Sequence, residues 1–270
     1  MEKISLEQQK EIVFGILCYF DDFCRQNEID YFLAFGTCLG AARHSGFIPW
    51  DDDIDVAMTR TNYNKLLRAW KDTEQYNLLC NEKCGKSYDS PLPKIVDCRT
   101  ILNQKNRTEK FDLGLYVDVF VLDYVSANKV ENVVDTSVEL SKDYIWATMK
   151  YKFGSLRDLY YDLIKFKRKI RGGGFYTREL ARLIESEKRD YSEVTTVINF
   201  MLYKKWWPSD LFTKTVELPF NGRNFKVPFD YDKYLTITYG DYMTLPPIEK
   251  RVSNHTFEAF WKESIVTPVE

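Results

Sequence analysis

Apolar residues at Ile12, Ile16, Leu17, Phe20, Phe23 and Cys24 recur at helical spacing, which predicts an amphipathic helix over most of residues 1–30. The short apolar run Tyr31-Phe32-Leu33-Ala34-Phe35, ended by Gly36, predicts a buried strand and then a sharp turn at Gly36-Thr37. Residues 38–44 read as a short helix broken by Gly46, and residues 54–58 as a second strand. Thr61 is expected to cap a helix that carries Tyr63, Leu66, Leu67 and Trp70 on one side. Further strands are expected at 78–79, 94–96 and 116–122. Strands and helices thus mix through the first part of the chain, the pattern of an α/β or α+β domain built on one sheet.

From about residue 128 to 190 the texture turns charged and helix-favouring, with Gly172-Gly173-Gly174 towards its end, which predicts a helical insert. Within it, residues 159–171 pair Leu163, Ile164, Phe166 and Ile170 with Lys165, Lys167, Arg168, Lys169 and Arg171. Such a basic amphipathic helix is expected to show a solvated face, contact with an anionic membrane surface being the alternative. Alternating apolar positions from 216 to 227 around Asn221-Gly222 predict a hairpin, and residues 231–239 a helix after it. The expected organisation is α+β: a mixed sheet flanked by helices at 1–127, a mainly helical insert at 128–200, and a C-terminal hairpin and helical part at 201–270 packed on the core.

Composition removes several function classes. With 38 basic and 40 acidic residues the formal charge is −2, so the chain lacks the basic field that nucleic-acid binding requires. No run approaches the roughly 20 apolar residues of a spanning helix. The residues Met1 to Ser5 also lack a signal-peptide layout, so the expected location is cytoplasmic, with at most peripheral contact at the inner face of a membrane. In a reducing compartment the six cysteines stay thiols. Cys80, Cys84 and Cys98 are near enough in sequence to suggest zinc, but no Cys-x-x-Cys pair or nearby histidine completes a set, and buried free thiols are the plainer reading. Aromatic residues reach 16%, mostly for the core, although aromatic surfaces also stack sugars and cations.

The chemistry concentrates in Trp50-Asp51-Asp52-Asp53-Ile54-Asp55. Alternation along a strand places Asp53 and Asp55 on one side and Ile54 and Val56 on the other, so two carboxylates converge. Close anionic groups repel unless a cation sits between them, and hard oxygen ligands suit Mg²⁺ or Mn²⁺, which leave positions open for substrate phosphates. That combination points to phosphoryl chemistry. Asp51, Asp53 and Asp55 also match the first ligand positions of an EF-hand, but Val56 stands where the loop needs glycine and Asn62 where it needs glutamate. Gly36 and Thr37 end the preceding strand, where a small turn admits a phosphate to backbone N–H groups.

Gly36-Thr37 followed at this spacing by Asp-x-Asp resembles the active-site pattern of the nucleotidyltransferase-fold superfamily, which adds a third carboxylate from another strand. Asp118 is the candidate, because Val117, Val119 and Val121 share the opposite face. Residues 36–58 as a whole resemble the signature of the LicD family of phosphocholine transferases, related to fukutin-type proteins. Lys94-Ile95-Val96-Asp97, Tyr116-Val117-Asp118-Val119-Phe120, Leu218-Pro219-Phe220-Asn221-Gly222 and residues 239–247 resemble further family blocks. The likeness spans most of the chain and is weakest in the helical insert.

The resemblance implies a nucleotidyltransferase-like fold and cytoplasmic transfer of phosphocholine from CDP-choline to a sugar of a teichoic acid or lipooligosaccharide precursor, with CMP released. Transfer of another phospho-alcohol (ribitol, glycerol, ethanolamine) from its CDP donor is the near alternative, and a nucleotidyltransferase releasing pyrophosphate the further one. The expected site has Asp53, Asp55 and Asp118 holding Mg²⁺ or Mn²⁺, with Asp52 or Asp118 taking the acceptor's proton. Arg43, His44, Lys94, Arg251 and His255 are expected to neutralise phosphate. Trp50 is a candidate cation–π platform for choline, with packing the stronger reading. A lipid-linked acceptor would give the basic segment of the insert a purpose.

Overall fold

The structure is a computed structural model and describes residues 1–104, 113–152, 154–186, 193–252 and 257–263. Helix α1 (Leu6–Gln26) opens on a capping box: the Ser5 hydroxyl accepts from the Gln8 N–H, and the Gln8 side chain accepts from the Ser5 N–H. Of the expected stripe, Ile16, Leu17, Phe20 and Cys24 are buried and Ile12 and Phe23 half-buried, with Val13 buried beside them. The chain continues through β1 (Phe32–Leu33), α2 (Phe35–His44), β2 (Asp55–Thr59), α3 (Arg60–Ala69), β3 (Tyr76–Leu79) and the single turn α4 (Asn81–Cys84). Then come β4 (Lys94–Asp97), β5 (Thr100–Gln104) and β6 (Tyr116–Val125). The insert supplies α5 (Val130–Thr148), α6 (Leu156–Arg171) and α7 (Gly173–Ser186). The last part holds β7 (Val194–Val197), β8 (Trp207–Pro208), the hairpin β9 (Thr215–Phe220) and β10 (Arg223–Pro228), α8 (Tyr231–Tyr239) and β11 (Phe257–Trp261).

The fold is α+β, around a mixed sheet in the order β1-β2-β6-β4-β3. Strand β6 is its spine. It runs parallel to β2, takes β4 antiparallel at its N-terminal end, and takes β7 antiparallel at its C-terminal end. One face is buried, with Val117, Val119 and Val121 at 0–1% exposure, while Tyr116, Asp118 and Phe120 on the other are half-buried. Outside this sheet, β5 pairs with β11 and β9 with β10.

Two expectations about local structure change. Gly36-Thr37 is no turn but the first turn of α2, because the strand stops at Leu33 and the chain reverses at Phe35, whose φ is +43°. The Phe35 N–H donates to the Tyr234 hydroxyl at 3.1 Å, which helps hold this left-handed residue in place. The cap of α3 is Thr59 and not Thr61: β2 runs one residue further than its apolar core, so Thr59 is the last extended residue before the helix. Strands β5, β7, β8 and β11 were not anticipated, being short or only weakly alternating.

The hairpin follows the Asn-Gly signal, with Asn221 at φ +48° and Gly222 at φ +82°, as a two-residue turn of type I′ requires. Its tip docks on the end of α2, where the Asn221 N–H donates to the Ser45 carbonyl at 2.9 Å. The chain that follows α2 leaves no room at Gly40, where a Cβ would lie 2.4 Å from the Gly46 carbonyl oxygen. Gly40→Ala is therefore expected to destabilise the protein by about 2 kcal/mol in urea unfolding, since backbone must move to admit one methyl group.

Candidate functional site

Register across three neighbouring strands builds the centre. Asp55 on β2 pairs with Asp118 on β6, and Asp118 pairs with Lys94 on β4, so the three side chains line up across one face of the sheet. Lys94 is 8% exposed, donates to the Asp118 carboxylate in a short ion pair, and lies 3.6 Å from the centroid of the Tyr116 ring. Burying a lysine here is tolerable because carboxylate and ring together replace its water.

More negative charge arrives from the loop before β2. Carboxylate oxygens of Asp51, Asp52 and Asp53 lie within 4.8 Å of one another. Strand alternation was expected to bring Asp53 beside Asp55, but β2 begins only at Asp55, so Asp53 reaches the centre from the loop. Asp51, weighed above only as an EF-hand position and not among the expected ligands, is part of the same group. Its Oδ2 would sit 2.8 Å from a Cβ at position 36, so Gly36 is the residue that lets the first turn of α2 close on the acidic loop. The positive end of the α2 dipole thereby faces the carboxylates. Thr37 is committed to structure, its hydroxyl accepting from the Asp55 N–H at 2.8 Å and locking helix to strand.

The half-buried Asp55 carboxyl is pushed well above the ordinary carboxylate range, by burial first and then by the charges of Asp53, Asp118 and Asp51, with Lys94 opposing. Lys94 pairs with Asp118, and the loop brings three further carboxylates close to Asp55. The donor set is all hard oxygen, which fits Mg²⁺ or Mn²⁺ and suits zinc poorly.

Arg43, His44, Trp50 and Arg251 gather at the edge of the acidic loop. The Arg43 Nε donates to His44 Nε2 at 3.0 Å, which requires that nitrogen to be unprotonated; burial and the Arg43 charge push the His44 pKa down in agreement. Arg43 Nη1 also donates to the Tyr242 carbonyl, and Arg251 Nε to the Pro246 carbonyl at 2.8 Å. Burial, then the charge of Arg251, lowers the Arg43 pKa, and among the described residues neither guanidinium has a carboxylate partner. Trp50 packs on the core with Arg251 5.4 Å from its ring centroid and His44 against it edge-on, so packing is its structural role. His255 lies outside the described residues.

On the other side of Asp55 opens a cavity of about 540 Å³. Phe35, Phe120, Trp207 and Tyr239 line it with Asp55, and Lys205 closes one wall, its ammonium tied to the Ile237 carbonyl at 2.9 Å. Sequence reasoning missed this cavity because its walls come from segments up to two hundred residues apart; the high aromatic content was the only hint. The cysteines form no comparable site. Cys80 is buried with its thiol pushed up to about 11 by burial first, Cys84 and Cys98 are half-buried, and among the described residues no cysteine joins a metal-ligand cluster.

Similarity to known proteins is extensive. The lipopolysaccharide cholinephosphotransferase LicD of Haemophilus influenzae is 31% identical over 274 residues, covering 96% of this chain and 99% of that protein. An uncharacterised protein of Rickettsia prowazekii is 26% identical over 134 residues, covering 48% of this chain and 42% of its own. A sequence model described as LicD/FKTN/FKRP, nucleotidyltransferase domain, matches residues 28–157, the stretch that supplies the acidic loop, Lys94 and Asp118. On this full-length similarity, the chain belongs to the LicD family.

Proposed function

We propose that this chain is a transferase that moves phosphocholine from CDP-choline to a hydroxyl of a lipopolysaccharide-like or teichoic acid glycan precursor, releasing CMP. The observation that carries the reading is the Asp55–Asp118–Lys94 row set against the Asp51–Asp53 loop, a concentration of oxygen ligands with an arginine pair beside it. Its likeness to a cholinephosphotransferase over nearly the whole chain selects the transferred group. Asp53, Asp55 and Asp118 would hold Mg²⁺ or Mn²⁺, which when bound supplies neutralisation of the donor's diphosphate charge.

The remaining work falls to side chains. Arg43 and Arg251 face the phosphate from the rim, with no carboxylate partner among the described residues. The aromatic cavity beside Asp55 receives the trimethylammonium group, held against Phe35, Phe120 and Tyr239 with the buried Trp207 behind them. The acceptor oxygen then attacks the phosphorus that bears choline, the bond from that phosphorus to the CMP oxygen breaks, and the hydroxyl proton passes to Asp52 or Asp118.

A release assay tests this with CDP-choline, CDP-ethanolamine, CDP-ribitol and CDP-glycerol in the presence of Mg²⁺ or EDTA. The expected result is CMP from CDP-choline, abolished by EDTA, with smaller trimmed-head donors cleaved more slowly because they leave the aromatic cavity part-filled. Preference for another CDP-alcohol reassigns the transferred group. Pyrophosphate released from a nucleoside triphosphate, with no CDP-alcohol cleaved, overturns the reading in favour of nucleotidyl transfer.

A further inference from the structure

Helix α6 is built the wrong way round for water. Its buried residues are Asp162 and Lys165, while Leu156, Leu159, Tyr160, Leu163, Phe166 and Ile170 are all exposed, Leu156 at 88% and Ile170 at 71%. At helical spacing these six fall on one stripe covering roughly a third of the circumference. The inward charges are fully engaged: Lys165 donates to Asp162 at 2.8 Å and to the Lys150 carbonyl at 3.0 Å, and Asp162 accepts from the Lys152 N–H at 3.1 Å. A further ion pair, Arg168 with Asp143, ties the helix to α5. The orientation is therefore held by specific polar contacts, and the apolar stripe is left on the outside.

The exposed charges in and beside the stripe are of one sign, Lys167 falling within its arc and Arg171 and Arg157 to one side of it. Arg157, Lys167 and Arg171 are exposed, whereas the acids of the helix are turned away, Asp162 into its ion pair and Asp158 onto the Ser155 hydroxyl at 2.8 Å. A second copy of the chain docking stripe to stripe would bring these cations together. An anionic lipid surface matches both features, taking the apolar stripe into the acyl boundary and the cations among its headgroups. No helix among the described residues is long and apolar enough to cross a membrane, so any attachment through α6 lies in the interface plane.

We propose that α6 docks this protein on anionic bilayers through the stripe Leu156–Leu159–Tyr160–Leu163–Phe166–Ile170. The inference rests on this helix alone and is independent of the donor chemistry. Its test is cosedimentation of the full chain with vesicles of phosphatidylcholine alone or of equal parts phosphatidylcholine and phosphatidylglycerol. The full chain is expected to pellet with the mixed vesicles, and the double substitution Leu163→Glu with Ile170→Glu to lower the apparent affinity about tenfold or more while circular dichroism stays unchanged, since both side chains touch little protein. Lys167→Glu with Arg171→Glu is expected to remove the preference for phosphatidylglycerol. Failure to pellet with either vesicle, pelleting unaffected by the glutamate pair, or a solution dimer that the glutamate pair dissociates would each overturn the proposal.

Discussion

Asp55→Asn is expected to slow metal-dependent CMP release by about a thousandfold or more while leaving the fold intact. Asp55 sits where every part of the candidate centre meets: it pairs in register with Asp118, its N–H is held by Thr37, its carboxyl feels Asp51 and Asp53, and it lines the aromatic cavity. Asparagine keeps the shape and loses the charge, so a cation shared among these carboxylates loses its central ligand, and stabilisation of a developing phosphate charge is worth several kcal/mol. Stability should move the other way. Because the Asp55 pKa is raised in the folded state, the native protein holds a proton that the unfolded chain has already released, so in metal-free buffer wild-type stability falls as pH rises above the ordinary carboxylate range. Asp55→Asn has no such proton to lose. Its melting temperature in EDTA should match or exceed wild type at pH 7, with the difference closing towards pH 4, and Mg²⁺ should raise the melting temperature of wild type alone. Full activity in a well-folded Asp55→Asn protein would remove Asp55 from the centre.

The sequence made the scaffold legible where local physics decides it. The 3.6-residue period of α1, the Asn221-Gly222 turn and the valine face of β6 each depend on neighbours a few positions away, and each is seen where expected. It was less legible where two distant segments decide together. Asp53 and Asp55 were expected to converge through strand alternation, yet convergence comes from a loop closing on α2, and the signal for it was Gly36, a residue small enough to let Asp51 in. The aromatic cavity joins Phe35 to Tyr239 across most of the chain, a juxtaposition no local pattern encodes. Helix α6 is the subtlest case. Its amphipathic period was visible, but periodicity does not say which face turns inward, and the choice rests on Asp162 and Lys165 satisfying each other and two backbone groups.

Lys94→Met is expected to cost about 3 kcal/mol of stability and to remove most activity, and a second substitution separates the two losses. Methionine fills the same space against Tyr116 but leaves the Asp118 carboxylate without its cation, next to Asp55 and in a site where water does little to help. The penalty is thus the uncompensated charge and not the missing contact, since breaking a buried pair from one side is far more costly than removing both partners. The double variant Lys94→Met with Asp118→Asn should recover most of the stability in urea unfolding, because no orphaned charge remains. It should not recover CMP release, because Asp118 is needed as a ligand or proton acceptor whether or not Lys94 is present. If instead the double variant regained CMP release close to the wild-type rate along with its stability, Asp118 would be a structural counter-ion to Lys94, and the centre would consist of the acidic loop and Asp55.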